Sequence, residues 1–325
     1  MKQSDPAGGP LAGSPARRSL HFARATLALL GAAFVAAQFG ERHFMFDNLS
    51  NFPVQFAAAF LACAAALVHL GDRRLALVSA IGVALSLVPV VPWYFAGKSE
   101  PPAPGASTVK LFVSNVYVHN RQHAQLLRLI DKEQPGVVGL VEVNSRWLRK
   151  AAQLRTNYPY HFEIPDEEFV GLALYSRLPL RNARVLSVGE AGTPAIAATM
   201  ETPDGEIEFI LTHPVSPLDT DRVRKRNAQL RALGRYVGTS QRPVVVAGDL
   251  NATMWNRNYR AFAELGGLHN ARAGRGVGPT WPSVGPLGVP IDHITATEAV
   301  RFRNFRVLES TGSDHRPVSV EFSLR

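Results

Sequence analysis

Cysteine is nearly absent. The 325 residues hold one, Cys63, and it sits inside an apolar run. A disulfide framework and a cysteine-ligated zinc site are both excluded, although the compartment stays open, since an exported protein can do without disulfides. Charge is scarce too, and the scarcity is local. Across Ala25–Phe39, Phe52–Leu70 and Leu75–Ala96 the sole Asp, Glu, Lys, Arg or His is His69, at the end of its run. An ion or solute path needs ionisable groups within the membrane, so a transporter or channel is disfavoured. There is no internal repeat.

What is present divides into two unlike parts. The first hundred residues are rich in Ala, Leu, Val and Phe, and the remainder has the mixed composition of a soluble domain. The formal charge of +9 falls to +6 from Pro101 onward, where 27 Lys/Arg face 21 Asp/Glu. That mild basic bias suits an anionic substrate without specifying nucleic acid. Residues 1–21, rich in Gly, Pro and Ser at the start, read as a disordered cytoplasmic tail. Residues 22–96 read as a transmembrane region of about three helices, with spans near 22–39, 52–70 and 75–96. A competing reading of the first run is a cleaved signal peptide, ending at the small residues Val35-Ala36-Ala37.

Basic residues set the orientation. Arg17, Arg18 and Arg24 precede or open the first span, and Arg73 and Arg74 fill the second loop, whereas the first loop holds only Arg42. Tail and second loop are therefore expected in the cytoplasm. The soluble domain is expected on the periplasmic or extracytoplasmic side of an inner (cytoplasmic) membrane, with or without cleavage. Residues 97–108 form a Pro-rich linker.

From Val109 the chain alternates strand and helix signals. Strands are predicted at Val109–Val116, Gly136–Val143, Val170–Tyr175, Ala183–Val188, Ala195–Glu201, Glu206–Thr212, Val244 onward, Ile291–Ala296, Phe302–Leu308 and Val318–Phe322. Helices are predicted at His123–Asp131, Ser145–Arg155 and Thr220–Val237. This mixture indicates a layered α/β domain with sheets packed face to face.

The most informative stretch is Val244-Val245-Val246-Ala247-Gly248-Asp249-Leu250-Asn251, a doubly buried strand running straight into Gly-Asp-Leu-Asn. An isolated Asp-x-Asn usually marks an Asx turn. Here it has company, because other apolar strands also finish in reactive residues: Asn115, Glu142, His213, Asp292 in Ile291-Asp292-His293, and Asp314 and His315 in Ser313-Asp314-His315-Arg316-Pro317. Each alone has a plain structural explanation. Six in one domain do not.

In this order the blocks resemble the endonuclease/exonuclease/phosphatase superfamily, and with the apolar runs ahead of them its bacterial membrane-anchored branch. The resemblance spans Val109 to Arg325. It implies a four-layered α/β sandwich, with two mixed β-sheets flanked by helices and a site at one edge. It further implies a divalent-metal-dependent phosphoesterase cleaving phosphodiester bonds, nuclease-like or acting on a phospholipid head group. Under it Glu142 and Asp314 would hold Mg²⁺ or Mn²⁺. Asn115, Asn251 and His213 would contact the substrate phosphate, and His213, Asp249, Asn251, Asp292 and His315 would carry the chemistry. Asp292 would orient His315, and either Asp249 or His315 would activate water. The expected partners are the phosphoester substrate and the bilayer, with no obligate protein partner.

Two features depart from the simplest version. Many abasic-site enzymes carry Asp two positions after the first Asn, where this chain has Tyr117, which weakens a two-metal site. Arg222, Arg224, Lys225, Arg226, Arg231 and Arg235 crowd one helix, as a solvated face, a polyanion groove or a contact with anionic lipid. A catalytically inactive, membrane-tethered binding module is the alternative from another class, opposed by the completeness of the residue set.

Overall fold

A computed structural model describes residues 15–40, 42–95, 107–189 and 193–325. Five helices come first: α1 (Pro15–Ala37), α2 (Phe44–Leu49), α3 (Pro53–His69), α4 (Arg73–Leu87) and α5 (Pro92–Phe95). They are followed by β1 (Val109–Asn115), α6 (His123–Glu133), β2 (Val137–Val141), α7 (Ser145–Ala151), β3 (Tyr160–Ile164), β4 (Leu172–Ser176), β5 (Leu180–Leu186), β6 (Ala195–Thr202) and β7 (Gly205–Thr212). The chain ends with α8 (Thr220–Gly238), β8 (Val244–Asp249), α9 (Arg257–Leu265), β9 (Leu268–Asn270), β10 (Asp292–Thr297), β11 (Val300–Val307) and β12 (Val318–Leu324).

The strands make two six-stranded mixed sheets, ordered β11-β12-β1-β2-β4-β3 and β5-β6-β7-β8-β10-β9. In each, one central pair is parallel, β1 with β2 and β7 with β8, and the other pairings are antiparallel. The sheets face each other across the main core. Side-chain alternation along a strand assigns the layers. Leu111 and Val113 enter the inter-sheet core, while Phe112 packs outward with α6 and α7 residues such as Leu126 and Trp147. Likewise Val245 and Ala247 point inward, and Val244 and Val246 meet Leu230 of α8 and Phe262 of α9. The four-layered α/β sandwich expected from sequence is thus observed.

Side-chain caps fix the helix starts. Asp219 accepts from the Arg222 N–H, Asn144 from Trp147 and Asp72 from Leu75, each satisfying an amide that the helix cannot. Gly248 shows where backbone proximity dictates the residue. Its φ is +141°, and a Cβ there would lie 1.9 Å from the Thr212 carbonyl oxygen. Only glycine lets β8 approach the end of β7 this closely.

The N-terminal helices depart from the expected pattern. α1 begins at Pro15, so the disordered tail does not extend to residue 21, and residues 1–14 lie outside the described residues. α1, with 23 residues, is long and apolar enough to cross a membrane, and it is the only such helix among the described residues. α3 has 17 residues and α4 has 15, so three spans are not shown. At 1.5 Å per residue α4 reaches only about 23 Å, against roughly 30 Å of hydrocarbon. The third expected span breaks because Pro89 and Pro92 lack the N–H a continuing helix needs, and α5 follows as a single separate turn. Most of the linker, residues 97–106, lies outside the described residues.

The helices and the sandwich share a packed boundary. Val90 is buried in the same cluster as Leu250, Met254 and Phe262, with Trp93 packed against it. The Gly276 N–H donates to the Trp93 carbonyl at 2.9 Å. Among the elements without a sequence signal are the edge strand β3, half-exposed, and the short helix α9. Neither carries a continuous apolar run.

Candidate active site

The carboxyl ends of β1, β2, β7 and β8 lie side by side, and antiparallel β10 begins at the same edge, with Asp292 paired to Asp249. This topology gathers residues up to 200 positions apart. Asn115 is the last residue of β1, Glu142 and His213 directly follow β2 and β7, Asp249 ends β8 and Asp292 opens β10. His315 arrives on the loop before β12, where its N–H donates to Ser313 Oγ at 3.0 Å while that hydroxyl donates to the Asn115 carbonyl at 2.8 Å.

Asp249 lies at the centre. One carboxylate oxygen accepts from the Asn251 N–H at 2.8 Å. The other accepts from Asn115 Nδ2 at 3.1 Å and faces His315 Nε2 at 3.6 Å and His213 Nδ1 at 3.7 Å. The Asn115 amide also donates to Glu142 Oε1 at 2.8 Å, which His213 Nε2 approaches to 3.4 Å. His315 Nδ1 and Asp292 Oδ2 are 2.9 Å apart. All of these side chains are buried. Tyr117, Glu142 and Asn251 hold positive φ values of 57°, 62° and 50°, which places three unusual backbone conformations around one site.

Burial and mutual charge shift these groups strongly. Burial opposes charge on His213, yet its hydrogen bond to Glu142 and the nearby Asp249 carboxylate raise it to about 9. Burial likewise opposes charge on His315, but Asp292 and Asp249 raise it to about 10. Asp249 is pushed up to about 6 by burial, with the Asp292 carboxylate adding to the shift and both imidazoles resisting it. For Glu142 and Asp292 burial favours the neutral acid, and the histidine partners overcome it and hold both below the usual carboxylate range.

Among the described residues two groups could hold a metal ion: Glu142, His213 and Asp249, and Asp249, Asp292 and His315, the ligand atoms of each lying within 4.8 Å of one another. Asp314, expected beside Glu142, belongs to neither. It accepts from the Trp281 indole N–H at 3.1 Å, and its other oxygen is buried without a partner. The structure brings Glu142 to Asn115, His213 and Asp249 instead. Asn251 lines the cleft with Glu142, Asp249 and His315, and its amide donates to the Pro214 carbonyl at 2.9 Å.

Several residues outside the expected set support the site. Thr280 Oγ1 accepts from the amides of Ile291 and Asp292, and buried Arg272 donates to the Asp292 carbonyl at 2.9 Å. His293 turns to the opposite face, with Nε2 2.9 Å from the Ala252 carbonyl. Least expected is the contribution of the first loop. Asn48, Asn51 and Phe52 line the same cleft of about 480 Å³ as Glu142, Asp249 and His315.

The Endonuclease/Exonuclease/phosphatase family profile matches residues 113–315. The chain belongs to that family. No curated protein matches it. Among solved structures, the human Nocturnin catalytic domain with a bound sulfate anion aligns at a TM-score of 0.57 and 20% identity, over 72% of this chain and 99% of that one. An endonuclease/exonuclease/phosphatase from Beutenbergia cavernae aligns at 0.54 and 21%, over 67% of this chain and 72% of that one. The 3′ phosphatase NExo from Neisseria, bound to a product DNA hairpin, aligns at 0.55 and 19%, over 66% and 99%. At such identities the likeness concerns the fold.

Proposed function

We propose that the protein is a membrane-anchored, divalent-metal-dependent hydrolase of phosphodiester bonds, with Asp249 as the base. The observation that supports this most is the convergence of Asn115, His213 and His315 on one buried carboxylate whose pKa lies near 6. A base titrating near the working pH combines adequate ionisation with adequate basicity. His315, pinned through Nδ1 by Asp292, is charged at neutral pH and so acts as a cation toward phosphoryl oxygens rather than as a proton acceptor.

Water attacks phosphorus in line, its proton passes to Asp249, and the ester P–O bond breaks. Protonated His213 supplies the proton to the leaving oxygen. Asn115 donates to phosphoryl oxygens through its amide. The donor set suits a hard cation: the Glu142 carboxylate stands among polar groups, and Asp292 and the partly buried Asp314 each keep one buried, unpartnered oxygen. Glu142 would hold Mg²⁺ or Mn²⁺, which when bound supplies charge neutralisation on the phosphoryl group.

Anchoring rests on α1, and sidedness on which helix ends meet the sandwich. α2, the start of α3 and Trp93 contact the catalytic domain, through bonds such as Gln55 Nε2 to the Leu287 carbonyl at 3.0 Å. Arg73 and Arg74 are the first two residues of α4, directly after the turn at the opposite end of α3. The positive-inside rule then puts the turn in the cytoplasm and the site outside it.

The test uses the full chain in detergent, with Mg²⁺ or Mn²⁺, on bis(p-nitrophenyl) phosphate, plasmid DNA, RNA, a phosphocholine lipid and a phosphoinositide. Turnover that disappears with chelator and falls about 10²- to 10⁴-fold in Asp249→Asn and His315→Ala supports the reading. Absence of turnover on every substrate points to a binding module.

A further inference from the structure

Phe52 belongs to two places at once. It lines the cleft beside Glu142 and His315, and it packs against the apolar cluster of the helical module that includes Phe56, Phe60 and Leu67. The cleft therefore opens onto the helices themselves. Its outer wall is apolar and unusually exposed: Leu218 at 69%, Phe169 at 42% and Trp281 at 36%. The Trp281 loop continues the pattern with Val284 at 75% and Leu287 at 61% exposed, and Gln55 at the start of α3 bonds to the Leu287 carbonyl.

Charge is missing where a polynucleotide would need it. A nucleic-acid groove neutralises successive phosphates with Lys and Arg. Among the described residues Arg222 is the only Lys or Arg lining this cleft, and it lies 3.6 Å from Asp219. On the basic helix α8, Arg224 and Lys225 pair with Asp221, and Arg226 is buried against Asp47.

We propose that the cleft takes the phosphate ester of a membrane lipid, its phosphate at the Asp249–His315 site and its hydrocarbon along Phe52 and Leu218 toward the helical module. The inference rests on the phosphoester reading for the position of the phosphate. The loop between α1 and α3 is then part of the substrate site, with Asn48 and Asn51 at its polar end and Phe52 at its apolar end. A lipid substrate also accounts for exposed apolar residues that a soluble substrate would leave in water. Lipids held in the bilayer beside α3 reach the cleft without leaving the interface.

The test measures binding, so that it stands apart from turnover. The full chain in phosphatidylcholine nanodiscs is titrated with inorganic phosphate and with butyl, hexyl and octyl phosphate, against empty nanodiscs. A fully buried methylene is worth about fourfold in affinity. Octyl phosphate is expected to bind at least tenfold more tightly than butyl phosphate. Phe52→Ser and, independently, Leu218→Ser should reduce that ratio to threefold or less with inorganic phosphate binding unchanged. Leu218 is exposed, so its variant keeps the test valid if Phe52→Ser misfolds. An octyl-to-butyl ratio that stays the same in Leu218→Ser overturns the proposal. So does an oligothymidylate series that tightens with length while the alkyl series stays flat. A chain-length effect that vanishes in the variants, in a protein that cleaves no ester, supports the site and overturns hydrolysis instead.

Discussion

Asp47 and Arg226 form an ion pair that is almost wholly buried, with side-chain exposures of 1% and 0%. Asp47 comes from α2, between the two long N-terminal helices, and Arg226 from the middle of α8. Arg226 also donates to the Asn251 carbonyl, and Asn258 Nδ2 donates to the other Asp47 oxygen at 3.3 Å. Around it Asn51 Oδ1 accepts from both the N–H and the hydroxyl of Thr253 at 2.9 Å, and the Trp255 indole donates to the Asn51 carbonyl at 3.1 Å. The helical module is therefore fastened to the segment that follows Asp249.

Removing one partner of this pair strands the other charge in the interior. Asp47→Ala is expected to cost about 3–5 kcal/mol, the usual penalty for breaking a buried pair. The cost should appear as a lower thermal unfolding midpoint of the full chain and as new protease sensitivity between α2 and the sandwich. An unchanged midpoint would mean that water reaches Arg226.

Asp292 acts on the reaction through His315. Asp292→Asn keeps the shape but removes the charge that holds the imidazole protonated at neutral pH. Turnover of bis(p-nitrophenyl) phosphate should drop by roughly 10²- to 10⁴-fold with KM changed far less. A drop confined to KM would assign Asp292 to substrate binding.

His293 predicts acid sensitivity. Burial, with the Arg272 cation adding to it, lowers its pKa from 6.5 to about 3. Between those values the unfolded chain binds a proton that the folded chain refuses. Stability is then complete above about pH 6.5 and declines as pH falls toward 3, by up to roughly 1.4 kcal/mol per pH unit. Unfolding midpoints at pH 7.5, 6 and 5 should show this slope, and His293→Gln should flatten it.

Gly248→Ala should disturb the site from behind. The added Cβ would lie 1.9 Å from the Thr212 carbonyl oxygen, at a φ of +141°. Neighbouring Asp249 and His213 sit on the two strands forced apart. Loss of both stability and phosphate binding is expected, measured by unfolding and calorimetry. Normal phosphate binding in a stably folded variant would show that β7 and β8 can separate without moving either side chain.

Sidedness can be tested directly. A periplasm-dependent reporter fused after Lys98 should be active, and a cytoplasm-dependent one silent. The reverse pattern would invert the proposed orientation.

Much of the sandwich was legible in the sequence because its strands are buried on both faces. Continuous apolar runs such as Val244–Ala247 have few other uses in a layered domain. The site residues were legible for a related reason: polar groups directly after such runs stand at a sheet edge, and their chain order matches the family. The sequence could not show what each residue touches. Asp314 reads as a metal ligand, and the structure packs its loop, between β11 and β12, against the Trp281 loop that precedes β10.

The apolar runs alone also placed the N-terminal helices, but not their ends, since α1 begins at Pro15, ahead of its apolar run. Pro89 and Pro92 end α4 early, and the residues between helices matter as much as the helices. The segment from Phe44 to Phe52 looked like a connecting loop. Only the tertiary structure places it in the cleft, since its anchors, Arg226, Thr253 and Asn258, lie about two hundred residues further along the chain. Local patterning records which residues must avoid water. Which distant surfaces satisfy a buried carboxylate such as Asp47 is settled by packing, and packing has no local signature.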